Sequence, residues 1–217
     1  MNTDTDHELK QDVLAELAWE PSISADHIGV TAQNGVVTLS GHVTTYWQKM
    51  AAERAAGRVK GVKALAQEME VRLPLHIERD DAEISAAVLS RMAWDVSVPA
   101  DAVKVRVEKG HVTLTGTVDQ YYQKNAAGWD ISPLMGITGV TNSITVRPAP
   151  KSLTISDDIR HALHRSWMFD DNIKVTATGG NVHLTGTVDN WHERELAAST
   201  AWAAPGTTSV SNDITVE

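Results

Sequence analysis

One ten-residue pattern occurs three times and constrains the fold more than any other feature. It reads NGVVTLSGHV from Asn34, KGHVTLTGTV from Lys109 and GGNVHLTGTV from Gly179. Each copy is a turn dipeptide followed by a strand in which apolar residues or glycine alternate with polar ones. The turn glycines are 75 residues apart (110 − 35) and then 70 apart (180 − 110). A period this long indicates three small domains rather than one core of 217 residues.

Each repeat begins with an amphipathic helix in the same register. Apolar residues recur at every fourth place and form one stripe along the helix. The stripes are Leu9, Val13 and Leu17, then Ile84, Val88 and Met92, then Ile159, Leu163 and Trp167.

Two further expectations concern the ends of these helices. The predicted N-cap residues are Asp6, Asp81 and Ser156. A large ring stands two places beyond each stripe, at Trp19, Trp94 and Phe169. We expect this ring to close the end of the core.

The repeated strand predicts a hairpin with one buried face. In the first copy Val37, Leu39, Gly41 and Val43 share a face, and the alternate residues are polar. The preceding dipeptide tolerates positive φ, which favours a two-residue turn. The glycine within the apolar row predicts a place where a helix approaches closely.

An alanine-rich helix and a third strand complete each repeat. The helices are predicted roughly over residues 45–59, 120–132 and 190–203. This order predicts an α+β fold of three tandem αββαβ repeats, each with two helices packed on one face of a three-stranded sheet. The sheet is mixed because the third strand is reached by a crossover. The predicted domain boundaries are residues 1–75, 76–150 and 151–217.

Composition limits the classes of function. The formal net charge is −9 and the acidity is spread over all three repeats, which argues against general nucleic-acid binding. The chain has no Cys, so it offers no disulfide, thiolate metal site or thiol nucleophile. The N-terminus lacks the features of a secretory signal, and no run approaches the ~18 apolar residues of a membrane span. If Met1 is the native start, these features predict a soluble cytoplasmic protein.

The repeats resemble the BON domain, named for bacterial osmotically inducible and nodulation proteins. The matching features are the amphipathic helix, the hairpin, the alanine-rich helix and the last strand, with Asn142 and Asn212 near its middle. The first repeat departs from the pattern, with Gln67 in the Asn place. The resemblance implies a non-enzymatic protein linked to osmotic and envelope stress, with phospholipid as a proposed ligand. One arrangement in the family, which adds a LysM domain, implies potassium binding; the sequence shows no LysM-like segment.

Aromatic residues follow each central strand and are the first candidate site. They are Tyr46 and Trp47, Tyr121 and Tyr122, and Trp191 beside His192. Tyr and Trp suit half-wet apolar surfaces, so these rings predict an edge that contacts lipid or a partner. The alternative, which we favour, is that they cover the start of the helix and the seam between repeats, because large exposed patches are uncommon on monomers.

A basic cluster in the first repeat is the second candidate. Lys49, Arg54, Arg58 and Lys60 lie on or just after the alanine-rich helix. Beside Tyr46 and Trp47 they are candidates for contact with anionic lipid headgroups. An ordinary solvated helix face with ion pairs is the more frequent meaning of such a cluster.

No set of residues has the spacing of a catalytic, metal or cofactor site. His161 and His164 lie one helix turn apart, but a metal site needs three or four converging ligands. The sequence therefore predicts a non-enzymatic, stress-associated binding or scaffold protein that contacts phospholipid or envelope components. The alternative is a cytoplasmic module for protein partners or a monovalent cation such as potassium, held by carbonyl groups of the hairpins. Self-association remains open.

Overall fold

The computed structural model describes residues 3–99, 101–147, 155–165 and 172–217. All three repeats have the same order of α-helices and strands, and the first has an added 3-10 helix (Ala25–His27) before its first strand. The first has α1 (Thr3–Trp19), β1 (Ile28–Gln33), β2 (Val36–Val43), α2 (Tyr46–Arg58) and β3 (Ala64–Val71). The second has α3 (Asp81–Ala93), β4 (Val103–Glu108), β5 (His111–Val118), α4 (Tyr121–Ile131) and β6 (Gly139–Val146). The third has α5 (Ile155–His164), β7 (Ile173–Thr178), β8 (Asn181–Val188), α6 (Trp191–Ala203) and β9 (Ser209–Val216).

The strands form three separate three-stranded sheets, each with the repeated strand in the centre. In the second repeat β4 pairs antiparallel with β5, and β5 pairs parallel with β6. The third repeat has the same arrangement with β7, β8 and β9. The predicted α+β fold of three αββαβ repeats with mixed sheets is confirmed.

The hairpin turns have the backbone that the dipeptides predict. Asn34 and Gly35 have φ angles of 53° and 80°, and Lys109 and Gly110 have 52° and 75°. Positive φ at both central residues is the type I′ geometry that matches the twist of the flanking strands. The turns therefore fix the register of each hairpin.

The predicted apolar stripes form the cores. All eight stripe residues that the structure describes are buried: Leu9, Val13, Leu17, Ile84, Val88, Met92, Ile159 and Leu163. They pack with the apolar face of the central strand, such as Val112 and Leu114, and with small residues of the second helix, such as Ala127. Trp167 lies outside the described residues.

The glycine in the apolar row serves a different purpose from the predicted one. Gly116 and Gly186 have φ angles of 141° and 133°, where a side chain is strained. A Cβ at Gly116 would collide with the backbone carbonyl oxygen of Ala102, and one at Gly186 with that of Asn172. The close neighbour is thus the backbone just before the preceding strand, so the prediction of a helix at this point is wrong.

The predicted N-caps are also wrong. Asp80, not Asp81, caps α3 through a capping box with Glu83. Asp81 instead accepts the backbone N–H groups of Lys109 and Gly110, both at 2.9 Å.

The first repeat has a similar link between helix and hairpin turn, and no N-cap at the predicted place. Asp6 lies inside α1, and its carboxylate accepts the backbone N–H of Asn34 at 3.0 Å. In the third repeat the predicted N-cap, Ser156, lies inside α5. An aspartate near the start of the helix therefore ties it to the hairpin turn, a long-range contact that no local capping pattern reveals.

The rings beyond the stripes do not close the core. Trp19 and Trp94 are 82% and 85% exposed. A residue two places beyond a buried one is rotated by about 200° around the helix axis, which directs it away from the core. Phe169, the third of these rings, lies outside the described residues.

The chain divides into two compact units. One comprises Met1–Ser40, Ala51–Glu68 and Pro148–Glu217, and the other comprises Gly41–Met50 and Met69–Arg147. The first repeat therefore contributes to both units. The start of α2 lies in the unit that holds the second repeat, and the rest of α2 lies in the other unit.

Candidate functional site

The first predicted aromatic pair is part of the packing of the unit that holds the second repeat. Tyr46 is partly buried against the core of that repeat. The Trp47 ring meets the Trp129 ring edge to face, with centroids 5.7 Å apart and an interplanar angle of 64°. A cleft of about 550 Å³ lies beside them, lined by Tyr46, Met50 and Trp129 among others. Tyr46 and Trp47 join parts of the fold, which is the alternative that the sequence favours.

Trp191 is seated in the other unit. Its Cδ1 lies 3.3 Å from where a Cβ would stand at Gly57, and the guanidinium of Arg194 lies 4.7 Å from the centre of its ring. Arg194 also donates to the carbonyl oxygens of Ile214 and Asn212, at 2.9 and 2.7 Å. The bare backbone of Gly57 therefore lets the indole approach α2 closely.

The second repeat has the most exposed ring of the predicted aromatic set. Tyr122 is 60% exposed, whereas Tyr121 is partly buried. Of the predicted junction rings, Tyr122 is thus the best placed to meet another molecule.

The predicted basic residues are engaged within the protein. Arg58 forms ion pairs with Glu16 at 2.8 Å and Glu20 at 3.4 Å. Lys60 lies 3.7 Å from Asp189. Arg54 is partly buried and has interactions of its own. The structure does not gather these residues into a patch of uncompensated positive charge.

Lys49 shows why a cation stands at this position of the second helix. Its Nζ donates to the carbonyl oxygen of Met69 in β3 at 2.7 Å. Arg194 is the counterpart in the third repeat and bonds the last strand in the same way. Lys124 is the counterpart in the second repeat, where burial lowers the pKa of its ammonium group. In the first and third repeats the cation at this position therefore ties helix to strand.

The hairpin carbonyl groups, which the cation alternative requires, already accept hydrogen bonds. The carbonyl oxygen of Gly35 accepts from the backbone of Lys63, that of Gly110 from Thr138, and that of Gly180 from Thr208. These bonds join each turn to the segment before the last strand. Each of these carbonyl oxygens therefore has fewer lone pairs available to coordinate a cation.

The turn after α3 carries exposed apolar side chains, although the sequence pattern predicts that Trp94 closes the core. Trp94 is 85% exposed, Val96 is fully exposed and Leu89 is 54% exposed. We call Trp94 and Val96 the Trp94 turn cluster. A hollow of about 260 Å³ lies between α3 and the segment before β4, lined by residues that include Leu89, Val98 and Pro99. The position of Trp94, two residues beyond the buried stripe and so on the opposite side of the helix axis, was the sequence signal that could have predicted this exposure.

Hydrogen bonds hold this turn in shape. The Asp95 carboxylate accepts the N–H of Ser97 at 2.8 Å, and the N–H of Val98 donates to the carbonyl of Asp95 at 3.1 Å. The Ser97 N–H, followed by the contact with Asp130, holds the pKa of Asp95 below its usual value. The exposed side chains thus stand on an ordered backbone.

The turn after α1 is built in the same way. Glu20 accepts the hydroxyl of Ser22 at 2.8 Å, and its other carboxylate oxygen meets Arg58. The hydroxyl and then the backbone N–H of Ser22 hold the pKa of Glu20 below its usual value. Trp19 and Trp94 therefore each precede a turn in which an acidic side chain accepts hydrogen bonds from a serine two residues further on.

The described residues show neither a metal centre nor a membrane span. Across residues 3–99, 101–147, 155–165 and 172–217, no three His, Asp or Glu side chains converge as ligands for a metal ion. No described helix combines the length and apolar character needed to cross a bilayer.

Comparison with protein families identifies the repeats. The profile of the BON domain matches residues 5–72, 80–148 and 152–217. The chain belongs to the BON domain family. These matches cover nearly all of the chain, as three copies.

An osmotically inducible protein resembles part of this BON chain. Osmotically-inducible protein Y of Escherichia coli strain K12 is 28% identical over 152 residues, which is 62% of this chain and 72% of that protein.

Two solved structures are also similar, both of CdsD from Chlamydia trachomatis, a structural protein of its Type III secretion system. One shows its C-terminal domain, is 16% identical, covers 100% of this chain and 99% of that one, and has a TM-score of 0.27. The other is 15% identical, covers 95% and 91%, and has a TM-score of 0.26. With TM-scores this low, no statement about function rests on them.

Proposed function

We propose that this BON protein is a non-enzymatic, stress-associated protein that binds the surface of phospholipid membranes peripherally. The Trp94 turn cluster carries the proposal, because it presents Trp94 and Val96 to solvent on an ordered turn. The Trp94 ring is at the end of a helix and is not packed in the core. Such a ring suits insertion at the boundary between lipid headgroups and acyl chains. Similarity to an osmotically inducible protein supports the link to stress.

The electrostatics favour apolar insertion over attraction to anionic headgroups. The net charge is −9, and Arg58 and Lys60 are paired with acids. Bringing such a chain to an anionic surface gains little from charge. We therefore propose that Lys49, Arg54, Arg58 and Lys60 contribute less than the turn, and that binding depends weakly on salt.

Trp19 and Tyr122 are the secondary contacts in this proposal. Trp19 occupies the equivalent helix end of the first repeat, and Tyr122 is the exposed ring of the predicted aromatic set. Each ring contributes in proportion to the apolar area that it buries in the membrane.

The test is sedimentation of the full chain with vesicles of zwitterionic and of mixed anionic phospholipid, at low and high salt. Trp94→Ala with Val96→Ser should weaken binding by about ten- to a hundredfold, since burying one large apolar side chain is worth about 1.5–3 kcal/mol. Leu75→Ala is the matched control, because Leu75 is 87% exposed and outside the cluster. No pelleting of the wild type at low salt would sink the proposal. Equal losses in the control and the turn variant would remove the role of the turn.

The alternative of a bound monovalent cation has less support than the membrane surface. The hairpin carbonyl groups are already hydrogen bonded. A shift in melting temperature in potassium but not in sodium would restore that alternative.

A further inference from the structure

One carboxyl group beside the Trp94 turn lacks a donor. Asp130 stands near the end of α4, and its side chain is 18% exposed. Its Oδ2 atom is fully buried and accepts no hydrogen bond from the part of the chain that the structure describes. A buried carboxylate oxygen without a donor is costly, so it invites an explanation.

Two charged groups face Asp130, one from α3 and one from the turn. The nearest nitrogen of Arg91 in α3 lies 3.8 Å from Oδ1. The second is Asp95 of the turn, whose carboxyl group interacts with that of Asp130. Among the described residues, these two are the charged groups that act on Asp130. Since Asp95 stands between Trp94 and Val96, the contact joins the exposed cluster to α4.

The two carboxyl groups have opposite tendencies to bind a proton. Burial, followed by the neighbouring Asp95, raises the pKa of Asp130 above its usual value. The N–H of Ser97, followed by the contact with Asp130, lowers the pKa of Asp95. Paired carboxyl groups whose surroundings differ in this way take up their first proton on the more buried member.

We propose that Asp95 and Asp130 share one proton in acid, and that this proton fastens the Trp94 turn to α4. The proton comes from solvent and resides on Oδ2 of Asp130, whose O–H then donates to the Asp95 carboxylate. At higher pH the proton returns to solvent. Two carboxylates then face each other, and Arg91 offsets their repulsion only in part. We call this proton-dependent contact between Asp95 and Asp130 the latch. Its effect on lipid binding rests on the proposed function, whereas its effect on stability does not.

The direction of the pH dependence follows from the two shifts. Because the pKa of Asp130 is raised on folding, its contribution to stability is complete below the ordinary aspartate value of 3.8 and is lost as pH rises through the raised pKa. The pKa of Asp95 is lowered, so its contribution is lost as pH falls through that lower pKa. The latch is therefore strongest between these two pKa values and weakens towards neutral pH.

Thermal unfolding of the full chain tests the latch without lipid. In Asp130→Asn an amide N–H donates to Asp95 at every pH. The melting temperatures of this variant and of the wild type are compared at each pH. The difference, variant minus wild type, should be about 2–4 °C larger at about pH 7 than at about pH 4. Asp95→Asn should flatten the pH dependence likewise, because its amide donates to Asp130. Asp12→Asn removes one charge from an exposed part of α1 and should show no such change. A difference that is constant with pH, or the same in the control, overturns the latch.

Vesicle sedimentation of the same variants tests its consequence. Wild-type binding should weaken severalfold from about pH 5 to pH 7, and binding of Asp130→Asn should change less. If no variant binds vesicles but the unfolding difference appears, the proposed function fails and the latch stands. If vesicles bind while Asp130→Asn retains the wild-type pH dependence in both measurements, the latch fails and the proposed function stands.

Discussion

Two sets of aromatic residues in this chain differ in exposure, although Tyr122 of the first set is also exposed. The rings that follow the central strands, such as Tyr46 and Trp191, are seated against a core or a bare helix backbone. The rings at the ends of the first helices, Trp19 and Trp94, are exposed. The chemistry of the side chains is the same, so the difference lies in where each ring stands on its helix and what packs beside it.

An aromatic residue next to a motif is therefore weak evidence of a binding site. The junction rings attract attention because they adjoin the repeated strand, yet Tyr46, Trp47 and Trp191 mostly join parts of the protein. Trp94 adjoins no motif but stands on the far side of an amphipathic helix from the core. The core does not account for a ring on the polar face, and its exposure leaves it available to another molecule.

Removing a junction ring should have the largest effect on stability. Tyr46→Ala takes a partly buried ring away from the core of the second repeat and should cost about 2–3 kcal/mol, since a cavity remains. Trp94→Ala should change stability by no more than about 0.5 kcal/mol, because its ring is exposed. Thermal or urea unfolding of both variants checks this. Equal costs would break the comparison.

Filling the seat of Trp191 should have the next largest effect. Gly57→Val places methyl groups where a Cβ already meets the indole at 3.3 Å and should cost about 1–3 kcal/mol through overpacking. Gly57→Ala is the matched control, because the gain of about 0.5–1 kcal/mol in helix propensity offsets a tight but smaller contact. Urea unfolding of both variants measures the two costs. A stable Gly57→Val variant would show that the seat of Trp191 is loose.

Removing a surface ion pair should have the smallest effect. Arg58→Ala breaks pairs with Glu16 and Glu20, but the Arg58 side chain is well exposed, so we expect a cost of about 0.2–1 kcal/mol. Vesicle binding of this variant should equal that of the wild type. A loss of binding as large as that of the turn variant would return the basic residues to the centre of the proposed site.

Much of the fold could be predicted because its signals are local. Alternation places Val112 and Leu114 in the core, and turn pairs such as Lys109 and Gly110 adopt the positive φ that their hairpin needs. Three copies in register made each signal more reliable. The location in the cell, the domain boundaries and the set of binding residues stay predictions.

The failures share a long-range cause. Asp81 looks like a helix cap but binds the backbone of a turn 28 residues further on. Gly116 looks like a seat for a helix but accommodates the carbonyl group of Ala102. In each case a local pattern has two structural explanations, and the partner that decides between them is distant in the chain.

The sequence by itself determined the repeats, the order of their elements and the buried faces, because periodicity and turn chemistry depend on neighbouring residues. Only the tertiary structure decided which aromatic rings are seated and which are exposed, because burial depends on contacts with distant segments. Trp47 contacts Trp129, and Trp191 packs against the backbone at Gly57. Trp94 stays largely exposed to solvent, and that exposure carries the proposed function.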